Sequence, residues 1–164
     1  MDKLAASLRE RQVERAFRQM PAVDIAALLR ERGYKVTPQR LAIYETLSAT
    51  DTHPSVEMLF QRLLSQHPAM SLATVYKTVN ILKSMGVVTS FNVGEDRNRY
   101  EIISYDHPHL ICTKCRRVEN ADWPDCGDFA DSLQKLKSFT LHMQRYYFYG
   151  ICAVCMQNSC GEEK

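Results

Sequence analysis

Four cysteines, Cys112, Cys115, Cys152 and Cys155, form two C-x-x-C pairs with 36 residues between them. A C-x-x-C turn lets two sulfurs reach one ion, and four thiolates match the tetrahedral preference of zinc. Redox dithiols are the alternative reading. A thioredoxin-like motif, however, needs one C-x-x-C at a strand-helix junction rather than two. With all four positions filled by protein, such a zinc would have no open coordination position. Its expected role is to staple a domain too small to bury enough core by itself.

The stretch HPHLICTKC adds His107 and His109 immediately before the first cysteine pair. These imidazoles cannot join a zinc already satisfied by four sulfurs, so the segment carries parts of two sites. Residues i and i+2 of an extended segment project to the same side, and Pro108 disfavours a helical conformation at His107. Surface His-x-His pairs also arise by chance, and any further ligands would have to come from elsewhere in the chain. Cys126 and Cys160 fall outside both pairs and are read as thiols without a role.

The elements that must position these residues begin from an ordinary globular composition, 164 residues with 45% hydrophobic and 24% charged side chains. The first twenty residues carry a charge every few positions, which fits neither a signal peptide nor a membrane span. A cytoplasmic protein is therefore expected. In a reducing cytosol, six cysteines point away from a disulfide framework and towards metal binding or redox chemistry. Residues 1–100 hold 14 Lys+Arg against 10 Asp+Glu, and residues 101–164 hold 7 against 9. That weak asymmetry is compatible with nucleic acid on the first half and a partner on the second.

Leu4, Leu8, Val13 and Phe17 give the first twenty residues a helical face that stops at Pro21. Helical patterns follow over 22–32 (Ile25, Leu28, Leu29, stopped by Gly33), from Pro38 (Leu41, Tyr44, Leu47), and from Pro54 (Val56, Leu59, Phe60, Leu63, Leu64). A fourth runs from an N-cap at Ser71 to Gly86. The period then changes. VVTSFNV and RYEII read as two strands around the turn GEDRN, so helices followed by a hairpin predict a winged helix-turn-helix. On the fourth helix Leu72, Val75, Val79 and Leu82 share one side. Ala73, Lys77, Asn80 and Ser84 lie opposite, with Tyr76 on the shoulder, a surface from which Lys, Asn and Tyr could reach base edges. Beyond residue 106 a strand near Val118, a helix over 128–138 and the aromatic strand RYYFYGIC predict a small α/β unit. The fold class expected is α+β, a winged helix-turn-helix followed by a small α/β domain with a four-cysteine zinc site.

Taken together, YKVTPQR (34–40), THP (52–54), SLATVYK (71–77), NRYE (98–101), HPHLICTKC (107–115) and YGICAVC (149–155) resemble the ferric uptake regulator family, most of all its peroxide-responsive members. The resemblance runs from about Ala22 to Cys155. It implies a regulatory Fe(II) or Mn(II) site at His53, Glu101, His107 and His109, with Asn120 at a position where the family carries a carboxylate. It implies structural Zn(II) at Cys112, Cys115, Cys152 and Cys155. It also implies DNA contacts from Lys35 in the minor groove and from Tyr76 and Lys77 at bases; Arg40, within YKVTPQR, and Asn80 complete the expected DNA-binding set. An accessory metal site of some members looks incomplete, since Pro108, Met143 and Gln144 replace its usual ligands, with His142 nearby.

The domains expected are an N-terminal helical extension (1–20), a winged-helix DNA-binding domain (21–103), a hinge (104–106) and a dimerisation and zinc-binding domain (107–164). The function expected is a metal-dependent repressor that binds palindromic AT-rich operator DNA as a homodimer and controls peroxide-stress or metal-homeostasis genes. No membrane and no small-molecule substrate are expected. An iron-uptake regulator without peroxide sensing and a zinc-thiol redox switch are the alternatives. An enzyme is not expected, because a metallohydrolase needs an open coordination position and a general base in a cleft, and no such motif is present.

Overall fold

A computed structural model describes residues 20–94, 97–103, 107–121, 133, 135 and 145–159. The expected helices at 1–20 and, apart from residues 133 and 135, at 128–138 lie outside the described residues. So do the hinge at 104–106, Cys126, Cys160, His142, Met143 and Gln144. The chain divides into two compact units, Met1–Tyr105 and Asp106–Lys164.

Among the described residues, the first unit contains four helices and a hairpin: α1 (Ala22–Glu31), α2 (Pro38–Ser48), α3 (Val56–Leu64), α4 (Leu72–Ser84), β1 (Val88–Asn92) and β2 (Asn98–Ile102). Three of the helices start on a side-chain cap. Thr37, Ser55 and Ser71 accept hydrogen bonds from the backbone N–H groups of Arg40, Met58 and Thr74, each relieving one of the orphaned donors of a first turn. Pro38 occupies the first turn of α2 as expected, but Pro54 does not open α3. Ser55 caps that helix and Pro54 stands before it, its carbonyl accepting from the Tyr100 N–H at 3.1 Å. Gly33 and Gly86 stop α1 and α4 with φ of 77° and 74°, backbone angles that side chains with a Cβ resist.

The apolar stripes meet in one core built from Ile25, Leu29, Ile43, Tyr44, Leu47, Val56, Leu59, Leu63, Val75, Val79 and Leu82, closed by Val87 and by Val88, Tyr100 and Ile102 of the hairpin. The expected stripe of α2 is corrected in one respect, because Ile43 is fully buried whereas Leu41 is only partly so. β1 and β2 pair antiparallel from Val88↔Ile102 to Asn92↔Asn98. Helices capped by this wing make the winged helix-turn-helix half of the expected α+β fold.

The second unit contains β3 (His109–Cys112), β4 (Val118–Asn120), β5 (Tyr147–Gly150) and a short α5 (Ala153–Ser159). The sheet order is β4-β3-β5, with β3 antiparallel to β4 and parallel to β5. α5 is an element the sequence pattern does not announce, a seven-residue helix that starts directly after Cys152.

Tyr44 is a buried phenol whose hydroxyl donates to the Met20 carbonyl at 2.8 Å. Burial, then the charges of Asp24 and Glu45, push its pKa from 10.0 up to about 12. Between these values only the unfolded chain gains by ionising, so the contribution of Tyr44 to stability is intact below pH 10.0 and is lost as pH rises towards about 12. Urea unfolding across that window should show declining stability, with a shallower decline in Tyr44→Phe. An unchanged slope would remove Tyr44 from the alkaline transition.

Candidate metal centres and nucleic-acid face

The two cysteine pairs are brought together by strand register. β3 and β5 run parallel with Cys112 opposite Gly150, and the Thr113 N–H and hydroxyl both reach the Gly150 carbonyl, at 2.8 and 3.1 Å. Cys152 therefore arrives beside Cys112, and its N–H donates to the Cys112 sulfur at 3.3 Å. The first pair is folded into a knuckle by Arg116, whose left-handed backbone (φ 60°) lets Arg116 N–H reach the Cys112 carbonyl at 2.9 Å.

Ligand atoms of all four cysteines lie within 4.8 Å of one another, and the Cys115 and Cys152 sulfurs are 3.7 Å apart. The edge of a tetrahedron with zinc-sulfur bonds of about 2.3 Å is about 3.8 Å, whereas a disulfide needs about 2.05 Å. Backbone N–H groups, of Cys152 first and then Cys115, hold the Cys112 thiol down to about 6. The neighbouring sulfurs, Cys115 first and then Cys152, push Cys155 up to about 12. Four thiolates so close cannot all ionise without a cation, and a divalent ion that prefers sulfur supplies it. The donor set fits zinc.

The expected regulatory ligands form two pairs, one inside each unit: His53 with Glu101, and His107 with His109. In the first unit His53 Nε2 lies 3.0 Å from a Glu101 carboxylate oxygen, with His53 2% exposed. Phe91 meets its ring in a T-shaped contact, centroids 5.6 Å apart. His53 has φ 47°, a left-handed conformation that costs on the order of 1–3 kcal/mol outside glycine. What holds the preceding loop is Arg62 on α3. Its guanidinium forks onto the Thr50 and Thr52 hydroxyls, both at 3.1 Å, and those hydroxyls are 2.8 Å from each other.

In the second unit the His107 and His109 rings are 4.5 Å apart and both residues are buried. Tyr147, opposite His109 in the parallel register, stacks on it with centroids 5.5 Å apart. On the other side of β3, Asn120 is the antiparallel partner of His109, so both side chains lie on the same face. Nδ1 of His53, Nε2 of His107 and Nδ1 of His109 are buried ring nitrogens outside any hydrogen bond. Imidazole nitrogens with a carboxylate suit a borderline first-row divalent ion.

On α4 the face opposite the core presents Ala73, Tyr76, Lys77, Asn80 and Ser84, all exposed, as the wheel predicts. Lys35 is exposed in the loop before α2. The Arg40 guanidinium donates to the Lys35 carbonyl, so Arg40 braces the loop that presents Lys35.

Comparison with known proteins adds the family. The model of the ferric uptake regulator family matches residues 31–149. The chain belongs to the ferric uptake regulator family. The peroxide-responsive repressor PerR of Staphylococcus aureus is 30% identical over 129 residues, 79% of this chain and 87% of the relative. A zinc-bound manganese uptake regulator is similar in structure, with TM-score 0.61 and 31% identity over 77% of this chain and 96% of that one. The ferric uptake regulator Fur of Vibrio cholerae gives TM-score 0.69 and 28% identity over 77% and 98%. The chain is thus a member of a family of metal-responsive regulators, with peroxide-responsive repressors among its relatives.

For a member of this family, Arg62, Thr50, Thr52 and Tyr147 are the residues that motif reading misses. None is a ligand type in a ligand spacing. Arg62 acts by reaching back across α3 to the loop before His53. Tyr147 meets His109 only because β3 and β5 pair in parallel.

Cys112→Ser should abolish zinc retention and lower the stability of the second unit by several kcal/mol, on the order of the whole stability of so small a unit. Zinc content after dialysis and near-ultraviolet circular dichroism of the aromatic strand measure both. A zinc-free variant with native dichroism would contradict the stapling role.

Proposed function

We propose that this chain is a metal-dependent transcriptional repressor rather than an enzyme, and that its regulatory ion is held by His53 and Glu101 of the first unit with His107 and His109 of the second. The observation that carries this reading is the His53–Glu101 pair. A buried imidazole in left-handed backbone, 3.0 Å from a carboxylate, sits in the same unit as the exposed polar face of α4. Fe(II) and Mn(II) suit these nitrogen and oxygen donors, and Zn(II) suits the four cysteines. Asn120, the cross-strand neighbour of His109, is the candidate fifth ligand.

The partner of the first unit is double-stranded operator DNA, read by Tyr76, Lys77 and Asn80 in the major groove, with Lys35 at the adjoining minor groove and Arg40 supporting it. The second unit is the dimerisation domain. Leu110, Phe148, Tyr149, Ile151, Val154 and Met156 are exposed apolar side chains on it, and several line a cavity of about 400 Å³ between β3, β5 and α5. Such a surface is costly to leave in water and suits a second copy, whose two-fold symmetry calls for a palindromic site. The domain boundaries proposed are 21–103 and 107–164 around a hinge at 104–106. Among the described residues no helix is long and apolar enough to cross a membrane, and a cytoplasmic regulator of peroxide-stress or metal-homeostasis genes is the role proposed.

If one ion joins ligands from both units, metal and DNA must be linked. Metal tightens DNA binding and DNA tightens metal binding by the same factor, with a coupling of about 1–3 kcal/mol. His53→Ala should abolish that coupling while leaving four-cysteine zinc, dimerisation and weak metal-independent DNA binding in place. Zinc content, sedimentation and duplex affinity with and without manganese test it. A full manganese response in the variant would exclude His53 as a ligand.

A further inference from the structure

Tyr76 stands on the exposed face of α4, yet its hydroxyl proton is already committed. The phenol donates to a Glu57 carboxylate oxygen in the first turn of α3. Glu57 also accepts from Ser55 and lies near the positive charge of Arg99 on β2, whose guanidinium donates to the Met58 sulfur. These partners, Tyr76 first and then Ser55, hold the Glu57 carboxyl below its ordinary range, and the carboxylate in turn raises the Tyr76 phenol. Glu57 is therefore an anion, and Tyr76 a phenol that has spent its one proton on it.

A tyrosine in that state has little to offer a phosphate. Phosphate oxygens are acceptors and carry charge; they need a donor, and an adjacent carboxylate repels them. What remains outward is an oxygen with lone pairs and an aromatic face. The first can accept from an exocyclic amine of adenine or cytosine, and the second can pack on a thymine methyl. We propose that Glu57 is a specificity-determining residue that, by taking the Tyr76 proton, keeps Tyr76 from acting as an unselective phosphate contact and makes it a reader of base edges. This inference rests on the reading of α4 as the DNA-facing helix.

The test uses the full-length, zinc-loaded protein with manganese and a duplex selected by the wild-type protein from a random pool. Single thymine-to-uracil replacements remove one methyl each. At the position Tyr76 reads, the wild-type protein should lose about fourfold in affinity, the worth of one buried methyl. Glu57→Ala, which frees the hydroxyl, should shrink that penalty towards onefold and tighten binding to an unrelated duplex, with a steeper salt dependence. Glu57→Gln, which keeps the size and removes the charge, should fall between. In a Tyr76→Phe background Glu57→Ala should leave the uracil penalty unchanged, because Glu57 acts through the hydroxyl. A merely structural role for Glu57 would lower affinity for all duplexes alike without touching the uracil penalty. An undiminished penalty in Glu57→Ala, or the same shift with and without the Tyr76 hydroxyl, overturns the inference while leaving α4 as the DNA-facing helix. If no duplex is selected, or Tyr76→Ala and Lys77→Ala both bind it as the wild type does, that helix assignment fails and takes this inference with it.

Discussion

Four cysteine sulfurs drawn within 4.8 Å of one another repel as anions and compete for protons as thiols, so the second unit carries a charge problem that only a cation resolves. The split between a Cys112 thiol held down to about 6 and a Cys155 thiol pushed up to about 12 expresses that problem. The strand arrangement of the unit depends on the same contact. Parallel pairing of β3 with β5 is a non-local pairing that an intervening loop must close at an entropic cost. The knuckles sit at the ends of these two strands, where a bound ion would offset that cost. His109 and Tyr147 are opposed by the same register, so the sulfur cluster and the histidine pair share one scaffold.

The first unit is stabilised differently. Its core of Ile, Leu, Val, Met and Tyr side chains is buried, and its helices are closed by capping hydroxyls rather than by a metal. That rigidity is used at its edges. The Arg62 fork and the bond from Tyr100 N–H to the Pro54 carbonyl fix the backbone on either side of His53. The residue is thereby kept in a left-handed conformation that the local sequence, with a proline following, would not choose. Strain held in place by well-made hydrogen bonds is a sign of a positioned functional group.

Much of this was legible in the chain because it depends on short-range spacing. C-x-x-C pairs, the i, i+3, i+4 stripe of α3 and the Ser71 cap of α4 are local signals, and each stands where it was expected. What the spacing could not supply is tertiary. Pro54 looks like a helix opener, yet Ser55 offers a hydroxyl to the first turn and takes the cap. Seven residues after Cys152 lack any apolar period, so α5 shows no helical signature of its own. Arg62 reads as a solvated charge until its reach to Thr50 and Thr52 is seen, and Glu57 as an ordinary first-turn acid until Tyr76 is placed beside it. The His53–Glu101 pair joins residues 48 positions apart, and only the family resemblance named them together.

Asn120, the fifth donor proposed for the regulatory ion, matters through its chemistry rather than its geometry. Its register opposite His109 puts it where a carboxylate would add a charged donor, and an amide oxygen donates no charge. Among the donors proposed for the regulatory ion, Glu101 alone is anionic, so a divalent ion there would keep one net positive charge. A carboxylate at position 120 would cancel it. A site with residual charge binds its metal more weakly and attracts anions more strongly, because interactions at buried positions are poorly screened. Metal affinity and attraction of a small anionic ligand would therefore move in opposite directions at this one position. In the donor set proposed for the regulatory ion, the residue at position 120, not the buried histidines, would set that balance.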